Sequence, residues 1–99
     1  YLESYVRSRA NAGRGQMRIR EELAQRGLSR ELIEQALSDA DVDWQAQLHD
    51  LWQRRFSGQI IDLKDKARQC RFLLQRGYTM DAVRHLLDHQ NSYYSGDEE

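Results

Sequence analysis

The sequence predicts an all-α protein made of tandem three-helix repeats, with six helices in an elongated array and no sheet. The chief observation is an internal repeat, because residues 18–37 realign on residues 68–87. Identical residues occupy five aligned pairs: Arg18/Arg68, Leu23/Leu73, Gln25/Gln75, Arg26/Arg76 and Gly27/Gly77. A repeat of this period is typical of stacked helical units. Each unit is too short to form a self-sufficient core, so we expect the two halves to share an interface.

The first unit is predicted over residues 1–40. Leu2, Tyr5 and Val6 recur at helical spacing up to a loop at 11–15, which indicates a first helix. A second helix is marked by Met17, Ile19, Leu23 and Ala24 and stops at Gly27, a residue suited to the position just past a helix end. Ser29 is the expected N-cap of a third helix, whose inward residues are Leu32, Ile33, Ala36 and Leu37.

The second unit, predicted over 41–90, repeats this order. Asp41 or Asp43 is expected to begin a helix whose inward residues are Trp44, Leu48, Leu51, Trp52 and Phe56. After a connection at 57–62, the next helix runs over 63–76 and ends at Gly77. Thr79 is the expected cap of the last helix, which carries Val83, Leu86 and Leu87 inward. Residues 91–99 lack any period and predict a disordered acidic tail.

Composition excludes several classes of protein. The sequence has no apolar run long enough to span a membrane and no segment resembling a signal peptide. Its single cysteine, Cys70, excludes an intrachain disulfide, fits a cytoplasmic location and is expected to pack on an apolar helix face. The apolar content of 39% predicts a thin core and a heavily charged surface.

The charges are segregated along the chain, although the net charge is only −1. Residues 1–30 carry a net charge of +4, residues 31–53 carry −6, residues 54–84 carry +5 and residues 85–99 carry −4. Arginine supplies 13 of the 15 basic residues, which favours bidentate contact with carboxylate or phosphate groups.

The basic residues also follow the repeat. Arg14 and Arg18 align with Lys64 and Arg68, and in each pair the four-residue spacing allows both side chains to share one helix face. Two equivalent basic faces suggest a contact that is made twice. The alternative is that these are solvated faces whose charges pair locally with Glu21, Glu22, Asp62 and Asp65.

Other patterns in the sequence give weaker evidence for a functional site. His85 and His89 lie four residues apart, but further zinc ligands are not evident, so we expect no metal and no cofactor. The segment Gly13-Arg14-Gly15 lacks the length and the preceding strand of a phosphate-binding loop and is interpreted as a connection. The sequence presents no nucleophile with an adjacent base, which argues against an enzyme and against a small-molecule substrate.

Several segments together resemble the RecX regulatory proteins of bacteria. They are Tyr5-Val6, Arg9, Gly15, the run 18–23 (RIREEL), Gly27-Leu28-Ser29, Asp43-Trp44 and the run 71–78 (RFLLQRGY). The resemblance covers about residues 1–90 and matches the second and third of the family's three-helix repeats. It implies that the family's first repeat is absent, and a chain that begins with Tyr1 is interpreted as a fragment. The usual Gly-Pro at the start of the second helix is replaced by Gly15-Gln16, for which we expect only a slight loss of stability.

The resemblance implies a modulator of the RecA recombinase. Members of the family bind in the groove of the RecA filament on single-stranded DNA and inhibit its ATPase, strand-exchange and coprotease activities, with roles in recombination, DNA repair and the SOS response. On this hypothesis the chain is a monomer that contacts the filament, and weakly the single-stranded DNA. The contact is expected to use Arg14, Arg18, Lys64 and Arg68, helped by Arg7, Arg9 and Arg71.

Two alternatives remain at this stage. The two helices of residues 21–37, joined by a short turn, are similar to a helix-turn-helix DNA-binding motif, but Glu31, Glu34 and Asp39 make the second helix acidic. A generic helical adaptor for another protein partner is the other alternative.

Overall fold

The structure is a computed structural model that describes residues 1–89. Within this range all regular structure is helical, as the sequence predicts. The helices are α1 (Leu2–Asn11), α2 (Gln16–Gln25), α3 (Arg30–Ala40), α4 (Trp44–Phe56), α5 (Leu63–Gln75) and α6 (Met80–Asp88). The prediction of a disordered tail at 91–99 falls outside the described residues.

Four helix starts use local side-chain caps. Ser29 Oγ accepts a hydrogen bond from the backbone N–H of Leu32 at 3.2 Å, and Thr79 Oγ1 accepts one from Ala82 at 3.1 Å. Asp62 Oδ1 does the same for the N–H of Asp65 at 2.8 Å. Asp43, not Asp41, caps α4, because Asp41 lies in the left-handed conformation at the end of α3. Each cap satisfies an N–H group that the helix itself leaves unpaired.

The apolar residues form two separate cores, one for each repeat. The first core contains Val6, Ala10, Ile19, Leu23, Ile33, Ala36, Leu37 and Ala40. The second contains Leu48, Leu51, Trp52, Ile60, Leu73, Tyr78, Val83, Leu86 and Leu87, with Cys70 and Phe56 packed partly buried against it. The expected interface between the halves therefore does not consist of a continuous apolar core.

One predicted inward residue is on the surface. Leu32 is 53% exposed, and Met17, which belongs to the apolar pattern of α2, is 51% exposed. Ile33 and Ile19 occupy the buried positions on these helices, and a helix of this small bundle has only one face in contact with its neighbours.

The whole array is elongated. Its extents are 52 × 20 × 19 Å and its radius of gyration is 15.3 Å, whereas a compact domain of 100 residues has about 13 Å. The repeats thus lie along one axis, and they meet where α2 approaches the end of α5 and where α4 contacts α1.

Candidate functional site: the junction between the repeats

The repeats meet where the start of α2 abuts the end of α5. The backbone N–H of Gly15 donates to the carbonyl of Arg76 at 2.8 Å, and the N–H of Met17 donates to the carbonyl of Gly77 at 2.9 Å. The N-cap of α2, Gly15, has no side chain with which to cap the helix. Carbonyls from the other repeat therefore satisfy N–H groups that a side chain satisfies in α3–α6, and the opposite ends of the two helix dipoles face each other.

Glycine is required on both sides of this contact. A Cβ on Gly15 would lie 2.3 Å from the backbone of Gly77, and a Cβ on Gly77 would lie 2.4 Å from Cβ of Arg18. Gly77 also has a φ of +106°, which side chains other than glycine rarely adopt. The repeated glycine thus permits the backbones of the two repeats to touch.

Two arginines hold the junction together by hydrogen bonds to backbone carbonyls. Arg76 donates from Nε to the carbonyl of Gly13 at 3.1 Å and from Nη2 to that of Ala12 at 3.2 Å. In the opposite direction, Arg18 Nη2 donates to the carbonyl of Gln75 at 2.7 Å. Each repeat therefore contributes a guanidinium group that binds the backbone of the other.

Two further arginines lie at the same place, and we call Arg14, Arg18, Arg55 and Arg76 the junction arginines. Burial lowers the pKa of Arg76, and the nearby positive charges of Arg14, Arg55 and Arg18 lower it further. The guanidinium groups of Arg55 and Arg76 both lie over the ring of Phe72, with 4.7 and 5.5 Å from Cζ to the ring centroid. The junction is therefore a concentrated patch of positive charge built by both repeats.

Within residues 1–89 none of the junction arginines forms an ion pair. Among the described residues, neither the buried Nε atom of Arg14 nor the buried hydroxyl of Tyr78 has a hydrogen-bond partner. Burial raises the pKa of Tyr78, and the positive charges of Arg76 and Arg14 partly offset that rise. Buried polar atoms are normally paired, and in the described range no carboxylate forms an ion pair with this patch. An acceptor with negative charge, either a carboxylate or a phosphate group, would complete it.

The structure separates the arginines predicted as site residues. Arg9 pairs with Glu22 at 2.8 Å and Arg68 pairs with Asp65, so for these two residues the alternative of local pairing holds. Arg7 donates to the carbonyl of Ala40 at 3.4 Å. Lys64 and Arg71 are exposed on α5. Among the predicted site residues, the junction brings together Arg14 and Arg18.

The prediction that Arg14 and Arg18 share a helix face is wrong. Helix α2 begins at Gln16, so Arg14 lies in the turn before it, while the aligned Lys64 is already inside α5 because that helix begins at Leu63. The turn at Gly13–Gly15 is needed to bring the start of α2 onto α5. The two basic segments are therefore not equivalent in space.

Arg55 and Arg76 are candidate site residues that the sequence alone does not indicate. Arg76 belongs to the repeated Gln-Arg-Gly segment, which was interpreted only as a helix end. Its counterpart Arg26 lies over the ring of Tyr5 at 4.7 Å and is exposed, so the repeat alone did not indicate which copy lies at the junction.

Other candidate sites receive little support from the described part of the chain. The rings of His85 and His89 are exposed, with centroids 4.3 Å apart, and residues 1–89 contain no group of three or more side chains placed to bind a metal ion. None of the helices in that range combines the length and the apolar character that crossing a membrane requires.

Comparison with known proteins identifies the family. The RecX model for the second three-helix domain matches residues 1–37, and the model for the third three-helix domain matches residues 41–87. The regulatory protein RecX of Pseudomonas savastanoi pv. phaseolicola is 56% identical over 88 residues, which cover 88% of this chain and 57% of that protein. Those of Pseudomonas fluorescens (strain Pf-5) and Pseudomonas putida (strain GB-1) are 54% and 53% identical over 88 residues, covering 88% of this chain and 57% and 56% of those proteins.

The chain spans a little over half the length of these relatives. Two family models and the identity along most of its length agree with each other and with the six-helix fold. The chain therefore belongs to the RecX family of regulatory proteins.

Proposed function

We propose that this chain binds the RecA filament on single-stranded DNA and inhibits its ATPase, strand-exchange and coprotease activities, with the junction arginines as its main contact. The observation that best supports this proposal is that Arg14, Arg18, Arg55 and Arg76 lie close together and have no ion-pair partner in the described range. Filament protein and DNA backbone both offer negative charge. The family and its regulatory name support the choice of RecA as the partner.

The shape of the molecule agrees with this proposal. An array 52 Å long and about 20 Å wide can lie in a helical groove and contact successive protomers. Because the junction lies between the two repeats, a filament contact there would engage both at once. Once one contact with the filament has formed, the others form at a high effective concentration, so the overall affinity exceeds that of any single contact.

The helix-turn-helix alternative has less support. The exposed residues of α3 include Glu31, Glu34 and Asp39, which a DNA backbone would repel. Glu34 also binds Arg20 of α2 at 2.6 Å, so this basic residue is already neutralised.

The test is the ATPase rate of RecA on single-stranded DNA, titrated with the chain at fixed, near-physiological salt. The variant R14E/R55E reverses two junction charges and leaves the hydrogen bonds of Arg18 and Arg76 in place. Because each charged contact contributes about 1.5–3 kcal/mol, we expect the inhibitory concentration to rise by at least about tenfold.

The matched control is R30E, which reverses an exposed charge at the start of α3 and away from the junction. It should inhibit like the unsubstituted chain. Equal potency of folded R14E/R55E and of R30E would contradict the assignment of the surface. A folded chain that leaves the ATPase rate unchanged at saturation would contradict the proposed inhibition itself.

A further inference from the structure

A second surface, separate from the junction arginines, lies along the first half of α5. It is a groove of about 290 Å³ lined by Ile61, Asp62, Lys64, Asp65, Arg68 and Arg71. The aligned segment of the first repeat turns away before α2, so this surface occurs in the second repeat alone. The groove combines one aliphatic side chain with charges of both signs.

Ile61 is held in an exposed position by its neighbours. The preceding residue, Ile60, is buried in the second core, whereas Ile61 is 76% exposed. The backbone N–H of Ile61 donates to Asp65 Oδ2 at 3.0 Å, which fixes the turn before α5. A single exposed aliphatic side chain is ordinary on a protein surface, so Ile61 gains significance only from the charges around it.

The cations of the groove differ in what they bind. Arg68 pairs with Asp65 and lies over the ring of Phe56 at 5.4 Å. The side chains of Lys64 and Arg71 form no ion pair and no hydrogen bond with residues 1–89. Seven residues separate them on one helix, which places their backbones about 10 Å apart. Two available positive charges thus flank a groove that also presents an aliphatic side chain.

We propose that this groove docks an acidic protein segment that carries an apolar side chain close to two carboxylates. In a segment in the polyproline II conformation, which has three residues per turn, carboxylates three residues apart lie on one face, about 9 Å from each other, and match the spacing of Lys64 and Arg71. The apolar side chain covers Ile61. The proposal rests on the proposed function, in which the RecA filament supplies the segment.

The carboxylates in the groove decide between a protein and a nucleic acid. Asp62 and Asp65 both line it, and hydrogen bonds from the N–H of Ile61 and from Arg68 lower the pKa of Asp65 and keep it ionised. A run of phosphates would meet these negative charges, whereas a protein segment can place its apolar residue and its backbone N–H groups beside them. The junction arginines have no such carboxylate as an ion-pair partner in the described range.

The test compares binding of the chain to two probes at the same salt: RecA filaments assembled on oligo(dT) with a non-hydrolysable ATP analogue, and oligo(dT) alone. Since burial of an Ile side chain contributes about 1.5–3 kcal/mol, I61S should weaken filament binding roughly tenfold or more. Binding to oligo(dT) alone should not change. The variant K64Q/R71Q should weaken filament binding by a similar factor and make it less sensitive to salt.

The matched control is L32S, because Leu32 is also an exposed aliphatic residue but lies on α3 of the first repeat. It should bind both probes like the unsubstituted chain, and I61L should restore binding. If I61S binds filaments as well as L32S does, the docking role of the groove is wrong and the proposed function is unaffected. If I61S lost affinity for oligo(dT) alone by the same factor, the groove would bind nucleic acid and the proposal of a protein segment would be wrong. A folded, unsubstituted chain that fails to bind filaments would overturn both this inference and the proposed function.

Discussion

Gln69 is the buried polar side chain of the second core. Its Oε1 accepts from Trp52 Nε1 at 2.7 Å, and its Nε2 donates to the carbonyl of Gln59 at 2.8 Å and to Asp65 Oδ2 at 3.0 Å. Q69M keeps the volume but leaves the indole N–H and the Gln59 carbonyl unpaired. We expect it to lower the free energy of unfolding by about 2 kcal/mol, measured by urea denaturation.

A double-mutant cycle separates the hydrogen bond from the packing. In the W52F background the indole donor is already absent, so Q69M should cost about 1 kcal/mol less there than in the unsubstituted chain. Costs that simply add would show that Gln69 does not stabilise the core by pairing with Trp52.

Helices α1 and α2 are tied by one carboxylate. Glu22 accepts from Arg9 Nε at 3.0 Å, from Arg9 Nη2 at 2.8 Å and from the Tyr5 hydroxyl at 3.0 Å. The hydrogen bonds from Arg9, followed by that from Tyr5, lower the pKa of Glu22 below its ordinary value of 4.5, against the opposing effect of burial. The unfolded chain therefore takes up this proton at a higher pH than the folded chain. The stabilisation is complete above the ordinary pKa and is lost as the pH falls through the folded one.

E22Q should consequently cost about 1–2 kcal/mol at pH 7, because a charge-assisted contact is replaced by a weaker neutral one. The difference in unfolding free energy between E22Q and the unsubstituted chain should shrink as the pH is lowered below 4.5. Urea denaturation from pH 7 to pH 3 measures it, with E21Q as the control because Glu21 is exposed and has no ion pair in residues 1–89. A gap that stays constant with pH would contradict the role of the Glu22 carboxylate.

The helix elements also show how far the sequence predicts the fold. Ser29 and Thr79 were predicted as caps because their oxygens act on N–H groups three residues away, and both predictions are confirmed. The cap of α2 was not predictable in this way, because its acceptors are the carbonyls of Arg76 and Gly77, about sixty residues along the chain. Arg55 was missed as a site residue for the same reason. Helical periodicity indicates which face is buried, but it does not indicate which helix ends meet.

At the scale of the whole molecule, two small cores are joined by a contact rich in hydrogen bonds, two between backbone groups and three from guanidinium groups to backbone carbonyls. Stability in such an array depends on each repeat and on the interface between them. The repeated glycines allow the interface to be tested alone, since Gly27 and Gly77 have φ values of +89° and +106°. An alanine costs about 1 kcal/mol in that conformation at either position. Only at Gly77 does its Cβ collide with the other repeat, at 2.4 Å from Cβ of Arg18, whereas the space beside Gly27 is open.

We therefore expect G27A to unfold in a single transition at slightly lower stability, and G77A to uncouple the repeats. Tryptophan fluorescence can follow each core, because Trp44, at the start of α4, packs against the first and Trp52 lies in the second. Each glycine substitution is compared with its own W52F or W44F background, and the urea transition reported by the remaining tryptophan should shift equally in both backgrounds for G27A and unequally for G77A. G77A should also weaken inhibition of RecA, since it displaces Arg18 from Arg76 and breaks up the junction arginines. Equal shifts for G77A would mean that the repeats are coupled elsewhere, through the packing of Trp44 against the first core and the 2.9 Å hydrogen bond from Gln47 Nε2 to Asn11 Oδ1, both of which lie away from Gly77.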